Sequence, residues 1–261
     1  MMIETGRPSL PDPPGGLPSM KLILSRKGFD SAAGKCPSPI IDDRPVSMPI
    51  PASGSSTTTY ADLGLGPIVE RITRGRIAGD ALCHHDPVFH QGECILGQCG
   101  AAQSHLARHG IGPGDVFLFF GLFTDPATGE RHHRIYGYLK VHSATPVATM
   151  SAAERTKLVA LRHPHLLDRR VTNDTIYRGE GAAARNAHVS LRMTRPGGPL
   201  SHWLVPHWLE GKGLSYHAKP WRWTEPGALQ LVSRGQEFVC DIGEDKEAAA
   251  WIDAKISAIR G

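Results

Sequence analysis

Fourteen histidines are spread through this chain, and several stand beside carboxylates at spacings that suit acid–base or metal chemistry. In Cys83-His84-His85-Asp86-Pro87, His84 and Asp86 are two residues apart. An extended backbone puts both on one face, and their N,O donor set suits a first-row metal ion. His163-Pro164-His165 repeats the spacing. Together the two segments offer three or four ligands to one ion, provided that folding makes them converge. Two separate surface loops of a His-rich chain are the plainer reading.

Three further segments carry chemistry. Ser25-Arg26-Lys27-Gly28-Phe29-Asp30-Ser31 follows an apolar run. Arg26 and Lys27 suit a phosphate clamp, Asp30 a general base or metal ligand, and Ser31 adds a hydroxyl. The alternative is a turn in which Asp30 bonds nearby backbone amides. In Gly97-Gln98-Cys99-Gly100-Ala101-Ala102-Gln103, Cys99 falls at a helix start, where the macrodipole lowers a thiol pKa and free amides favour an anion. Gln98 and Gln103 carry amides of the kind that read base edges. A small buried Cys99 among glycines is an equally good reading. Four of the five tryptophans fall at Trp203, Trp208, Trp221 and Trp223. Their faces could stack a base, with Arg222 on a phosphate, although a Trp-rich subcore is the better reading for most of them.

The missing motifs narrow the field. There is no GxxxxGK[ST], no GxGxxG opening a helix, no GxSxG and no HExxH, so the common triphosphate, dinucleotide and serine-hydrolase mechanisms lose their support. With 29 Lys+Arg against 25 Asp+Glu, the net charge of +4 fits an anionic ligand better than a protein that coats nucleic acid. No run approaches the ~20 apolar residues of a membrane span. Five cysteines without a CxxC pair read as reduced thiols in the cytoplasm.

The elements that must position these residues follow from the pattern. Residues 1–19 carry five prolines and no apolar block, and are expected to be a disordered leader or a mis-assigned start. Residues 20–261 are expected to form a single domain. Strands are predicted at Lys21–Leu24, Val46–Ile50, Thr175–Tyr177, His188–Met193, Leu229–Ser233 and Glu237–Ile242. Val116–Phe123 and Arg134–Val141, joined by Asp125-Pro-Ala-Thr-Gly129, predict a central antiparallel hairpin. Helices are predicted at the glycine turn leading to His109, after the Ser151-Ala-Ala-Glu154 capping box, and from Glu244 to Ile259. The fold class is therefore α+β, with a mainly antiparallel central sheet and about three helices.

These residues resemble a known family. Met20-Lys-Leu-Ile-Leu-Ser-Arg-Lys-Gly-Phe-Asp-Ser31 with Pro37-Ser-Pro-Ile40 is similar to the opening of the third nucleotide-modification-associated domain family. The likeness continues at His85-Asp86-Pro87, Gly97–Gln103, Gly114–Gly121, Ile135–Tyr138, His163-Pro-His165, Tyr177, Ser201–Trp203 and Gln236-Glu-Phe238. The resemblance implies a nucleotide or DNA base-modifying enzyme within a base-hypermodification system, with a nucleotide or DNA base and other base-modification proteins as partners, and no membrane. It proposes Asp30, His85, Asp86, His163 and His165 as catalytic. It proposes Arg26, Lys27, Ser31, Gln98, Cys99, Gln103 and Trp203 as substrate-binding. No cofactor follows beyond the divalent metal that the His–Asp spacings allow. Two alternatives stay open: a PUA-like barrel module that binds a modified base without catalysis, suggested by Gly114-Asp115 leading into an aromatic strand, and a metal-dependent hydrolase.

Overall fold

The computed structural model describes residues 19–52, 54, 56–167, 171–233 and 235–261. The leader expected at 1–19 lies outside these residues except for Ser19.

The apolar run after Ser19 forms strand β1 (Met20–Arg26), and short strands β2 (Ser38–Ile41), β3 (Arg44–Pro45) and β4 (Ile50–Pro51) follow. Helix α1 (Gly66–Thr73) starts with a proline in its first turn, where the missing N–H costs nothing. Then come β5 (Cys83–His84), β6 (Val88–His90), β7 (Glu93–Gln98) and helix α2 (Gly100–Arg108). The predicted hairpin is β8 (Val116–Thr124) with β9 (Arg131–Pro146), paired antiparallel through nine partners. Helix α3 (Ala152–Ala160) is capped as its sequence requires, Ser151 Oγ accepting from the Glu154 amide at 3.2 Å. The chain closes with β10 (Thr175–Ala183), β11 (His202–Leu204), helix α4 (Trp208–Lys212), β12 (Trp223–Glu225), β13 (Ala228–Gln230), β14 (Glu237–Gly243) and helix α5 (Lys246–Arg260).

The main sheet runs β14-β1-β8-β9-β10-β7-β6, with β2 and β3 attached at the end of β8. Its pairings are antiparallel except β1–β8 and β2–β8. Both faces are covered, which explains why β8 reads as an unbroken apolar run. Leu22, Leu24, Leu118 and Phe120 pack toward Ile252, Ile256 and Ile259 of α5. Ile23, Phe117 and Phe119 pack on the other side with Leu106 of α2. A satellite cluster of Phe29, Met48, Tyr60, Val69 and Cys83 holds the loops above the sheet.

The sheet does not close into a barrel. It curls enough that Gln98, ending β7, hydrogen-bonds Glu237, starting β14, although four strands separate them in the sheet. Closure is prevented because the outer edge of β14 is already engaged: Ser215 exchanges hydrogen bonds with Val239 through its N–H and Oγ, and His105 of α2 reaches the same Oγ at 3.1 Å. Five α-helices, not three, are present among the described residues. The two unforeseen ones are α1, whose Ile68, Val69 and Ile72 face the satellite cluster, and the short α4 inside the tryptophan-rich segment. The Val46–Ile50 strand is reduced to Ile50–Pro51. His188–Met193 forms no strand, since His188 caps a 3-10 turn at Val189–Leu191 and Val189 is exposed.

Candidate functional site

Cys83 is fully buried in the satellite cluster and anchors the segment after it. β5 pairs with β4, His84 opposite Ile50. The chain then turns, the Asp86 amide donating to the His84 carbonyl at 3.0 Å, and the Asp86 carboxylate enters the interior with only 4% of the side chain exposed. There Oδ1 accepts the Gly97 amide of β7 at 2.8 Å.

The second pair arrives from the opposite direction. After α3 the His163 amide bonds the Leu158 carbonyl, and a 3-10 turn over Pro164–Leu166 packs its histidines against β7. His163 Nε2 lies 3.4 Å from Asp86 Oδ1, and His165 Nε2 lies 3.9 Å from Oδ2. His84 Nε2 is also 3.9 Å from Oδ2, and the His84 and His165 rings meet edge to face at 5.2 Å. The two sequence pairs therefore converge on one buried carboxylate. Burial alone would raise the Asp86 pKa, but the His163 contact and the His165 imidazole outweigh it and hold the carboxyl well below the usual range.

Asp174, just ahead of β10, fixes His165. Its Oδ1 accepts from His165 Nδ1 at 2.7 Å, which fixes the ring and turns Nε2 toward Asp86 Oδ2. The adjacent Asn173 ties the same segment to α2, bonding both the N–H and the carbonyl of Gly100. The first free amide of α2 is thereby satisfied by a side chain, and is not available to the anion expected there.

The cluster floors a cavity of about 610 Å³ lined by Lys27, Asp30, His84, Asp86, Gln98, Cys99 and His165, among others. A smaller cavity of about 370 Å³ shares Arg26, Lys27 and Asp30 and adds Ser31 and His133. Asp30 forms the expected turn, Oδ1 accepting the Ala32 and Ala33 amides at 2.7 Å each, and lines both cavities. Lys27 is not a loose clamp. Its ammonium pairs with Glu237 Oε1 at 3.1 Å, an oxygen shared with Ser25 at 3.1 Å and with the Gln98 amide. Arg26 donates to the Ser233 and Val232 carbonyls and lies against the Phe120 and Phe238 rings. Burial lowers its pKa from the ordinary value, opposed by nearby Asp30.

Of the other expected residues, His163 touches Asp86 but lines neither cavity, and three lie elsewhere. His85 points away from its neighbours into a separate cavity of about 530 Å³ beside Leu63 and Tyr136. Burial lowers its pKa despite Asp86. Gln103 is buried on α2, where its Oε1 accepts the Tyr177 hydroxyl at 3.0 Å. Trp203 is fully buried against Phe120 and Phe238, with its indole N–H donated to His133; it offers no face to a ligand. Sequence reasoning left out Asp174 and Glu237. Glu237 stands inside the Gln236-Glu-Phe238 motif, whereas no pattern marked Asp174.

A family model described as nucleotide modification associated domain 3 matches residues 21–241. No curated protein and no solved structure matches the chain.

Proposed function

Because the chain belongs to the nucleotide modification associated domain 3 family, we propose that it is an enzyme that modifies the base of a nucleotide or of DNA held in the 610 Å³ cavity. The family ties the chain to nucleotide modification, and the site supports chemistry there. The observation that carries the reading is the convergence of His84, His165 and Asp86 on the cavity floor, with His165 oriented by Asp174 at 2.7 Å. A carboxyl shifted by burial and by specific charged partners, and lining a cleft, is a candidate functional group. A base-reading cage would instead present aromatic faces, and among its described lining residues this cavity has no Phe, Tyr or Trp. The size is within the range of small-ligand pockets.

Roles follow from placement. Bond change occurs over the His84–Asp86–His165 floor. Asp30, on the loop lining the same cavity, takes or gives a proton, and Lys27 with Arg26 lies where a phosphate would rest. Gln98 and Cys99 form the wall beside the base.

The test uses cells carrying the other components of a base-modification system. Their DNA and nucleotide pool are digested to nucleosides and analysed by mass spectrometry. The expected result is a modified nucleoside that disappears with Asp86→Asn and falls with Asp30→Ala, consistent with the ~10²–10⁴-fold rate loss for an acid–base group. Unchanged nucleosides in both variants, with the proteins folded, would refute the reading.

A further inference from the structure

The geometry points to a site for a divalent first-row transition-metal ion, held by His84 Nε2, Asp86 Oδ2 and His165 Nε2. It uses residues of the cavity described above but does not depend on the substrate. One ligand atom from each of the three residues lies within 4.8 Å of the others, and both imidazole nitrogens stand 3.9 Å from the same carboxylate oxygen. Donors about 2.1 Å from one ion stand roughly 3.0–3.4 Å apart at octahedral or tetrahedral angles. A contraction of about 0.5–0.9 Å along each of the two 3.9 Å separations would close the set around an ion.

The surroundings are arranged as outer partners of metal ligands are. Asp174 accepts from His165 Nδ1 at 2.7 Å, which fixes the tautomer that leaves Nε2 to coordinate. The two oxygens of Asp86 have separate partners. Oδ1 takes the Gly97 amide and faces His163 Nε2, while Oδ2 is turned to His84 and His165. His163 Nε2 is itself buried, and no hydrogen bond of good geometry satisfies it. A metal drawing Asp86 toward Oδ2 would leave Oδ1 to these two donors. Every ion-pair partner of this buried carboxylate among the described residues is an imidazole, and Lys27, whose charge also acts on it, is paired with Glu237 at 3.1 Å.

A second grouping, Cys99–His165–Asp174, is also compact. It is disfavoured because its His165–Asp174 separation of 2.7 Å is a hydrogen bond, with a proton where the metal would bind. Two nitrogens and one carboxylate oxygen suit Fe²⁺, Zn²⁺ or Co²⁺ rather than the all-oxygen environment of Mg²⁺ or Ca²⁺. Three protein ligands leave positions open toward the cavity for water or substrate, as catalytic metal centres require.

The experiment is a metal titration of the full chain, stripped with a chelator and without nucleotide. Calorimetry with Zn²⁺, Co²⁺ and Mg²⁺ is combined with elemental analysis. One equivalent of Zn²⁺ or Co²⁺ per chain is expected, with Mg²⁺ much weaker. His84→Ala, Asp86→Asn and His165→Ala should each lose the site, and Asp174→Asn should weaken it by about 10–100-fold. His90→Ala and His142→Ala, both exposed, should bind as the wild type does. Should the ligand variants fail to fold, the wild type still decides: the ring nitrogen resonances of His84 and His165 should move on adding Zn²⁺, and those of His90 should not. Wild-type binding no tighter than Mg²⁺, or full binding that survives Asp86→Asn and His165→Ala, would overturn the inference. Metal binding without nucleoside modification would overturn the proposed function and leave this site standing; the converse would do the reverse.

Discussion

Gly97→Ala adds one methyl group to the site without altering any of its polar groups. Gly97 lies on β7 with its amide on Asp86, and its backbone is outside the left-handed region, so alanine fits the chain itself. The space is another matter. A Cβ there would stand 2.3 Å from His165 Cδ2, 2.4 Å from Cγ and 2.9 Å from His163 Cε1. Reaching even 3.4 Å requires the His165 ring to retreat by 3.4 − 2.3, about 1.1 Å, and Asp174 holds that ring from the other edge at 2.7 Å. Overpacking costs about 1–3 kcal/mol, partly offset by about 0.4–1 kcal/mol from the stiffer unfolded chain, so a modest drop in stability is expected. The functional cost is larger, because misplacing a reacting group by about 1 Å can cost on the order of 10²-fold. The assay compares thermal midpoint, Zn²⁺ affinity and nucleoside output for wild type, Gly97→Ala and Gly112→Ala. At Gly112 a Cβ meets nothing within 4 Å, so that variant should match the wild type. Should Gly97→Ala keep wild-type affinity and output, the His165 ring does not pack on β7 as described, and the reasoning fails.

Two further predictions concern the frame around the site. Trp203→Ala removes a fully buried indole that packs on Phe120 and Phe238, and should cost about 3–5 kcal/mol in chemical denaturation; a loss below 1 kcal/mol would return Trp203 to the list of ligand-facing residues. Acid stability should depend on His132, which is 1% exposed and accepts from Arg134 at 3.4 Å. Burial first, then Arg134 and Arg192, lower its pKa to about 4. The folded pKa is below the unfolded value of about 6.5, so the unfolded state takes up the proton first. Stability is then full above pH ~6.5 and lost as the pH falls toward 4, by at most about 3 kcal/mol. Melting curves from pH 7.5 to 5 should show this decline, and His132→Gln should reduce it; an equal slope in the variant would refute the assignment.

What the sequence made legible depended on how far each residue's role was decided by its neighbours in the chain. The β8–β9 hairpin and the helices α2, α3 and α5 were readable because their apolar periods and caps are local. Strands β6 and β7 were not, since their pattern is short and their burial comes from β10 and the α3 turn. Of the PUA-like expectation, the aromatic strand after Gly114-Asp115 is present, but the sheet forms no closed barrel, Ser215 and α2 covering the outer side of β14.

The two His spacings show most clearly where local reasoning ends. The first is not the extended segment its spacing suggests but a tight turn, closed by the Asp86 amide on the His84 carbonyl, in which His84 and Asp86 meet while His85 turns to the other cavity. His163 and His165 also stand two apart, but in a 3-10 turn, where the same spacing reaches one carboxylate from two sides, His163 toward Oδ1 and His165 toward Oδ2. One spacing in two backbones thus produces one focus. That focus is Asp86, whose importance lies in contacts 77 to 79 residues away, His163 and His165 being numbered 163 and 165 against 86. Asp174 has no sequence signal for the same reason, since its role exists only once the α3 turn has delivered the His165 ring to it. The residues that orient the site are therefore the ones least visible in the chain, and substitutions at Asp174 and Gly97 test the arrangement more sharply than removal of any imidazole.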